Sequence, residues 1–152
     1  MESVIALCRR LLNFAASIEW LGPLLLRLGF GYFWLETGWA KLMNLDTFAA
    51  RFADWGIPFA PASAALSAGT ELVGGALLMI GLFTRLASAA LGFNMIVAIA
   101  LVVIGDVSTL DEFVELDEVL YVLVLVWLLL AGPGKASVDH WLAGRLGLPR
   151  RE

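Results

Sequence analysis

Three stretches of this chain, residues 21–43, 62–81 and 86–104, are apolar over close to the ~20 residues that a helix needs to cross ~30 Å of hydrocarbon. Lipid satisfies no backbone hydrogen bonds, so an unpaired strand is ruled out at that depth and each stretch is expected to be a helix. Composition points the same way. The 152 residues are 61% hydrophobic and 16% charged, whereas soluble domains hold roughly 45–50% and 25%. A water-soluble fold of this length could not hide so much apolar surface.

A fourth span is less regular. The uninterrupted apolar run 119–131 is too short to cross alone, and its alternating Val and Leu would indicate a strand in a soluble protein. Upstream, Thr109, Leu110, Asp111 and Glu112 fit a capping box, with acids suited to the positive end of a helix dipole. The sequence therefore predicts a helix over 110–131, its acidic first turns outside the hydrocarbon.

The predicted fold is an all-α integral membrane protein. Residues 1–20 form an N-terminal interfacial amphipathic helix, 21–134 a bundle of four transmembrane helices, and 135–152 a cytoplasmic tail. In the first segment Val4, Leu7, Cys8, Leu11, Ala15 and Ile18 share a face, with Arg9, Asn13 and Ser17 opposite. Asn13, Ser17 and Glu19 interrupt any apolar core of an export signal. Arg9, Arg10, Arg85, Lys135, Arg145, Arg150 and Arg151 fall on one side of a four-helix arrangement, and only Lys41 and Arg51 on the other. The basic side is expected to be cytoplasmic, with both termini there and 106–118 outside. Phe48, Phe52 and Trp55 predict a second interfacial helix, started by Asp46 and ended by Gly56 and Pro58.

Charge and residue counts narrow the chemistry. The net charge is −4, and Asp106, Asp111, Glu112, Glu115, Asp117 and Glu118 concentrate acid in one short segment. No basic-aromatic patch suited to nucleic acid is present. Cys8 is the only cysteine and His140 the only histidine. One chain can thus supply no internal disulfide, no bis-histidine haem and no soft-metal cluster. No metal site and no intrinsic cofactor are expected. Asp111, Glu115 and Glu118 follow i, i+4, i+7 and make an external acidic stripe. It suits a solvated helix start, a hard cation or a basic partner.

Ionisable residues within spans mark candidate functional sites. Glu36 and Glu71 both fall near mid-depth. At 100° per residue Arg27, Gly31, Trp34, Gly38 and Lys41 share one face of the first span, and Glu36 points to the opposite side. Glu71 shares its face with Ala64, Ser67, Ala68, Gly74 and Gly75, small residues that admit a close helix neighbour. Arg27, Glu36, Lys41, Glu71 and Asn94 are the expected buried polar cluster, with Tyr32, Phe33, Trp39 and Tyr121 as its aromatic walls. Such a cluster either holds a ligand or holds the helices together.

These motifs resemble the DoxX family of small bacterial membrane proteins. The likeness runs from about Leu26 to Asp139. It rests on Arg27-Leu-Gly29, Gly31 and Gly38-Trp-Ala-Lys41-Leu42, then on Glu71-Leu-Val-Gly74-Gly75 and Gly81-Leu-Phe-Thr84-Arg85. Gly132-Pro-Gly134-Lys135 with Ser137 and Asp139 completes it. The resemblance implies a four-helix, multi-pass protein of the bacterial cytoplasmic membrane. It also implies links to thiosulfate:quinone oxidoreduction or to oxidative-stress assemblies. The leading expectation is a membrane subunit in redox metabolism that binds a quinone or another small apolar carrier. As an enzyme it would act only as part of a quinone-linked oxidoreductase, because electrons need a carrier and hence a soluble or membrane-bound redox partner. The alternatives are a non-catalytic anchor or scaffold, and a small proton-linked transporter or channel assembled as a homo-oligomer.

Overall fold

The computed structural model describes residues 2–147, all of whose regular structure is helical. Arg150 and Arg151, counted above for orientation, lie outside the described residues. The order is α1 (Glu2–Ser17), α2 (Leu21–Met43), α3 (Leu45–Asp54), α4 (Ala60–Ile80), α5 (Thr84–Ala98), α6 (Leu110–Glu115), α7 (Asp117–Ala131) and α8 (Val138–Arg145). A π turn, Ile99–Val103, and a 3₁₀ turn, Ile104–Asp106, continue α5.

Among the described residues, two helical runs suffice by length and composition to cross a membrane, Ala60–Ile80 and Thr84–Asp106. A third exists if α1 and α2, bent by 43° at their junction, count as one. α2 is 23 residues long but carries Arg27, Glu36 and Lys41. Every side chain from Val4 to Trp20 is exposed.

The expected helix 110–131 is not continuous. Its capping box forms, with Thr109 Oγ1 accepting from Glu112 N and the Glu112 carboxylate accepting from Thr109 N. Yet Leu116 is extended (φ −63°, ψ 129°) and splits α6 from α7. One unbroken helix would stack Asp111, Glu112, Glu115, Asp117 and Glu118 along itself. The break instead gives Asp111 and Glu112 the first turn of α6, and Asp117 and Glu118 that of α7, at two positive dipole ends. α7 alone, at 15 residues, is about 22 Å long.

α2 and α4 pack antiparallel at close range. The buried face of α2 is Arg27, Gly31, Trp34 and Gly38, the seven-residue rhythm of a packed helix face. A Cβ on Gly38 would lie 2.8 Å from Leu72 Cα, and one on Gly75 would lie 2.6 Å from Gly31 O. Only glycine permits this approach. Trp34, Leu78, Ala87, Leu91, Met95, Leu125 and Leu128 form the core between α2, α4, α5 and α7. Phe30, Phe33 and Trp34 meet Tyr121 of α7 at ring centroids 5.5, 5.2 and 5.8 Å away.

α3 starts after Asn44, with no side-chain cap; Asp46 lies in its first turn rather than capping it. Phe52 meets Phe48 edge to face and Trp55 at a tilt, and is itself buried. α3 packs on α4.

Candidate functional site

The antiparallel register of α2 on α4 brings the last turn of one beside the middle of the other. There Lys41 Nζ donates to both carboxylate oxygens of Glu71 at 2.6 Å. α5 adds Asn94, whose Nδ2 donates to Glu71 Oε1 at 3.3 Å and to Ser67 Oγ at 3.0 Å. Glu71 is 1% exposed, while the Lys41 side chain is 31% exposed. Burying a carboxylate is tolerable only when it is paired and hydrogen-bonded, and Lys41 with Asn94 supplies both conditions. The Lys41 ammonium also sits 5.2 Å from the Phe48 ring centroid.

A cavity of about 580 Å³ opens beside this cluster. Lys41, Glu71, Asn94 and Ser67 are polar groups in its wall, together with Ser63 and Thr70; Phe48, Phe52, Trp55 and Phe93 are its aromatic walls. Val102 and Val103, from the π turn, close another side, and Arg51 and Glu118 also line it. A wide helical turn next to a cavity is a recurrent functional device. An apolar chamber with a few convergent polar groups, in the size range of roughly 300–1,000 Å³, is the form of a small-molecule site.

The residues singled out from sequence divide. Lys41, Glu71 and Asn94 come together. Arg27 does not join them: it lies about 21 Å along α2 from Lys41, at ~1.5 Å per residue, fully buried at the other end of the bundle. There its Nη2 donates to Ala136 O. Glu36 joins neither end and is exposed on the outer face of α2. It does not meet Glu71, because its angular position lies opposite Trp34 and Gly38, which face α4.

The expected aromatic walls are corrected in the same way. Tyr32 and Trp39 are exposed, and Phe33 and Tyr121 belong to the packed ring cluster between α2 and α7. The rings that line the cavity are those of α3 and Phe93. Their signal in the sequence was the stripe Phe48, Phe52, Trp55; what it packs against was not legible there. Ser67 was recognised only as a small residue on the Glu71 face. The acidic stripe is divided by Leu116, leaving Asp111 and Glu115 exposed on α6 and Glu118 half-buried on α7. Among the described residues no group of three or more His, Cys, Asp or Glu is placed to hold a metal ion.

Fold and site together define a small all-helical membrane protein with a polar cluster built between its helices. The chain belongs to the DoxX family, whose sequence profile matches residues 22–104, from α2 through the π turn. It is also similar to an uncharacterized membrane protein of Mycobacterium tuberculosis, with 33% identity over 131 residues, covering 79% of this chain and 80% of that one. No solved structure matches the chain significantly.

Proposed function

We propose that this protein is a membrane subunit in redox metabolism that holds a quinone, or an apolar carrier of similar size, in the cavity beside Lys41, Glu71 and Asn94. The observation that carries this is the ion pair of Lys41 with buried Glu71, in the wall of a 580 Å³ chamber whose lining is mostly apolar and aromatic. Redox membership is common in the DoxX family, and the donor set fits a carbonyl-bearing ring. The Lys41 ammonium, the Asn94 amide and the Ser67 hydroxyl can orient a carbonyl oxygen, while Phe52, Trp55 and Phe93 face the ring. A bound quinone supplies two-electron, two-proton chemistry. Lys41 and Glu71 hold a proton at that site, positioned as a general acid–base pair. Electrons arrive from a separate redox protein, so the chain acts as one part of an assembly.

In the bilayer, we place four spans over 21–43, 62–81, 86–104 and 110–131. α1 lies at the interface, and both termini face the cytoplasm of a bacterial cell. Arg9, Arg10, Arg85, Lys135 and Arg145 support that orientation. The break between α6 and α7 then falls at the outer end of the fourth span.

A second reading is favoured by Glu36. A carboxylate exposed at mid-span is costly against lipid, which supports a covered α2 face and a scaffold that meets another chain there. Both readings allow a partner, but only the first requires a ligand in the cavity.

The test is binding of a short-chain quinone to the purified protein, followed by quenching of tryptophan fluorescence. The wild type is expected to bind saturably. The K41M/E71Q double variant, which removes the charge pair without stranding either partner, is expected to bind about tenfold or more weakly, the equivalent of a single lost charged contact. Equal affinity in both proteins, or no saturable binding, would overturn the quinone reading.

A further inference from the structure

A second cavity, of about 760 Å³, lies at the end of the bundle that carries Arg27, and nothing in the first site requires it. Its wall is built by the C-terminal segment folding back over the helix ends. Asp139 N donates to Gly81 O at 2.9 Å, and the Asp139 carboxylate accepts from Phe83 N at 2.8 Å and Thr84 N at 2.9 Å. Both carboxylate oxygens are thereby spent on capping the start of α5. Beneath them lies buried Arg27, close enough to Asp139 to interact electrostatically. Arg27 Nε and Nη1 make no hydrogen bond within the described chain. Its guanidinium fits because residue 81 is glycine, where an added Cβ would clash with it.

The cavity is lined by two cations, Arg85 and Lys135, and by two acids, Glu19 and Asp139. Arg85 lies against the backbone of Gly132 and gives Nη2 to Leu130 O at 3.3 Å, using one of its five N–H donors. Lys135 pairs with Glu19 at 3.2 Å, but both side chains are half exposed or more. A pair so exposed contributes little and exchanges readily for a better acceptor. Asp139 keeps its charge but is held by the backbone with Arg27 below it, and Arg27, Arg85 and Lys135 together outweigh Asp139 and Glu19, so the balance favours an anion. Trp20 and Trp127 flank the same cavity, the residue type that settles at headgroup level. Arg85 and Lys135 stand just beyond the apolar stretches of α5 and α7, at the same depth.

We propose that this cavity binds the phosphate headgroup of an anionic phospholipid, with Arg85 and Lys135 as its ligands and Trp20 and Trp127 against its glycerol and upper acyl chain. Guanidinium and ammonium donors match phosphate oxygens, and basic pockets between spans on the cytoplasmic side suit such headgroups. The proposal rests on the membrane location and on this geometry, not on what fills the other cavity.

The experiment uses the full chain, purified in neutral detergent. Thermal unfolding is followed while phosphatidylglycerol, phosphatidylcholine or inorganic phosphate is titrated. Phosphatidylglycerol is expected to raise the midpoint by several degrees and phosphatidylcholine to leave it unmoved. R85Q/K135Q is expected to lose the preference, its apparent affinity falling about tenfold or more, whereas R85K/K135R retains it. E19Q, which releases Lys135, is expected to bind the anionic lipid more tightly. Equal response to both lipids, or an undiminished preference in R85Q/K135Q, would overturn the proposal. Full protection by inorganic phosphate at low millimolar concentration would overturn its assignment to a lipid.

Discussion

Glu71 is 1% exposed, and its two oxygens face one ammonium and one amide. Breaking such a pair by removing one partner leaves a stranded charge, which costs about 3–5 kcal/mol in measured cases. K41M should therefore destabilise the protein by about that amount, while K41M/E71Q recovers most of the loss because neither charge is left alone. Denaturant unfolding in detergent measures both. Additive losses in the double variant would mean that the pair does not act as a unit. Glu36 shows the converse. Sequence alone marks both acids as anomalous within spans, and helical phase sets Glu36 apart from Arg27 and Lys41 but not from Glu71. Depth alone argued for bringing them together, and depth does not decide which way a side chain points.

At the scale of elements, the α2–α4 contact holds the site. Its register is set by backbone approach at Gly38 and Gly75. G75A would drive a Cβ into Gly31 O and the backbone of Trp34, so it should spread the helices and loosen Lys41 from Glu71. G69A adds a methyl where nothing lies within 4 Å, and it should be neutral or gain about 0.5–1 kcal/mol from helix propensity. Unfolding midpoints of the two variants check this; equal effects would contradict it. The faces of α2 and α4 were legible because small and apolar residues recur at helical spacing. The break at Leu116 was not, because the capping box that starts α6 is local and the extended residue carries no Gly or Pro signal. The role of α3 was hidden for a related reason: an amphipathic stripe reads the same whether it meets lipid headgroups or another helix.

Across the whole molecule, the residues that carry the family likeness gather at two opposite ends. Lys41, Gly38 and Glu71 build one, while Arg27, Gly81, Thr84 and Asp139 build the other. Sequence separates Asp139 from Phe83 by 56 residues, so no local pattern could reveal that it caps α5. D139A should raise amide exchange at Phe83 and Thr84, whose N–H groups it accepts, and leave α3 unchanged. Uniform loss of protection would show instead that the C-terminal segment supports the entire bundle. The orientation proposed here makes a separate prediction. Native Cys8, exposed on α1, should react with a membrane-impermeant thiol reagent only from the cytoplasmic side, and S108C in a C8S background only from outside.

The most direct test of the central claim is photo-crosslinking with a short-chain azidoquinone, followed by peptide mapping. Labelling is expected to be confined to α3, to α5 around Phe93 and Asn94, and to the π turn, with loss of label in K41M/E71Q. Labelling of the Phe30–Tyr121 ring cluster, or a pattern that K41M/E71Q leaves unchanged, would contradict a carrier site at Lys41 and Glu71.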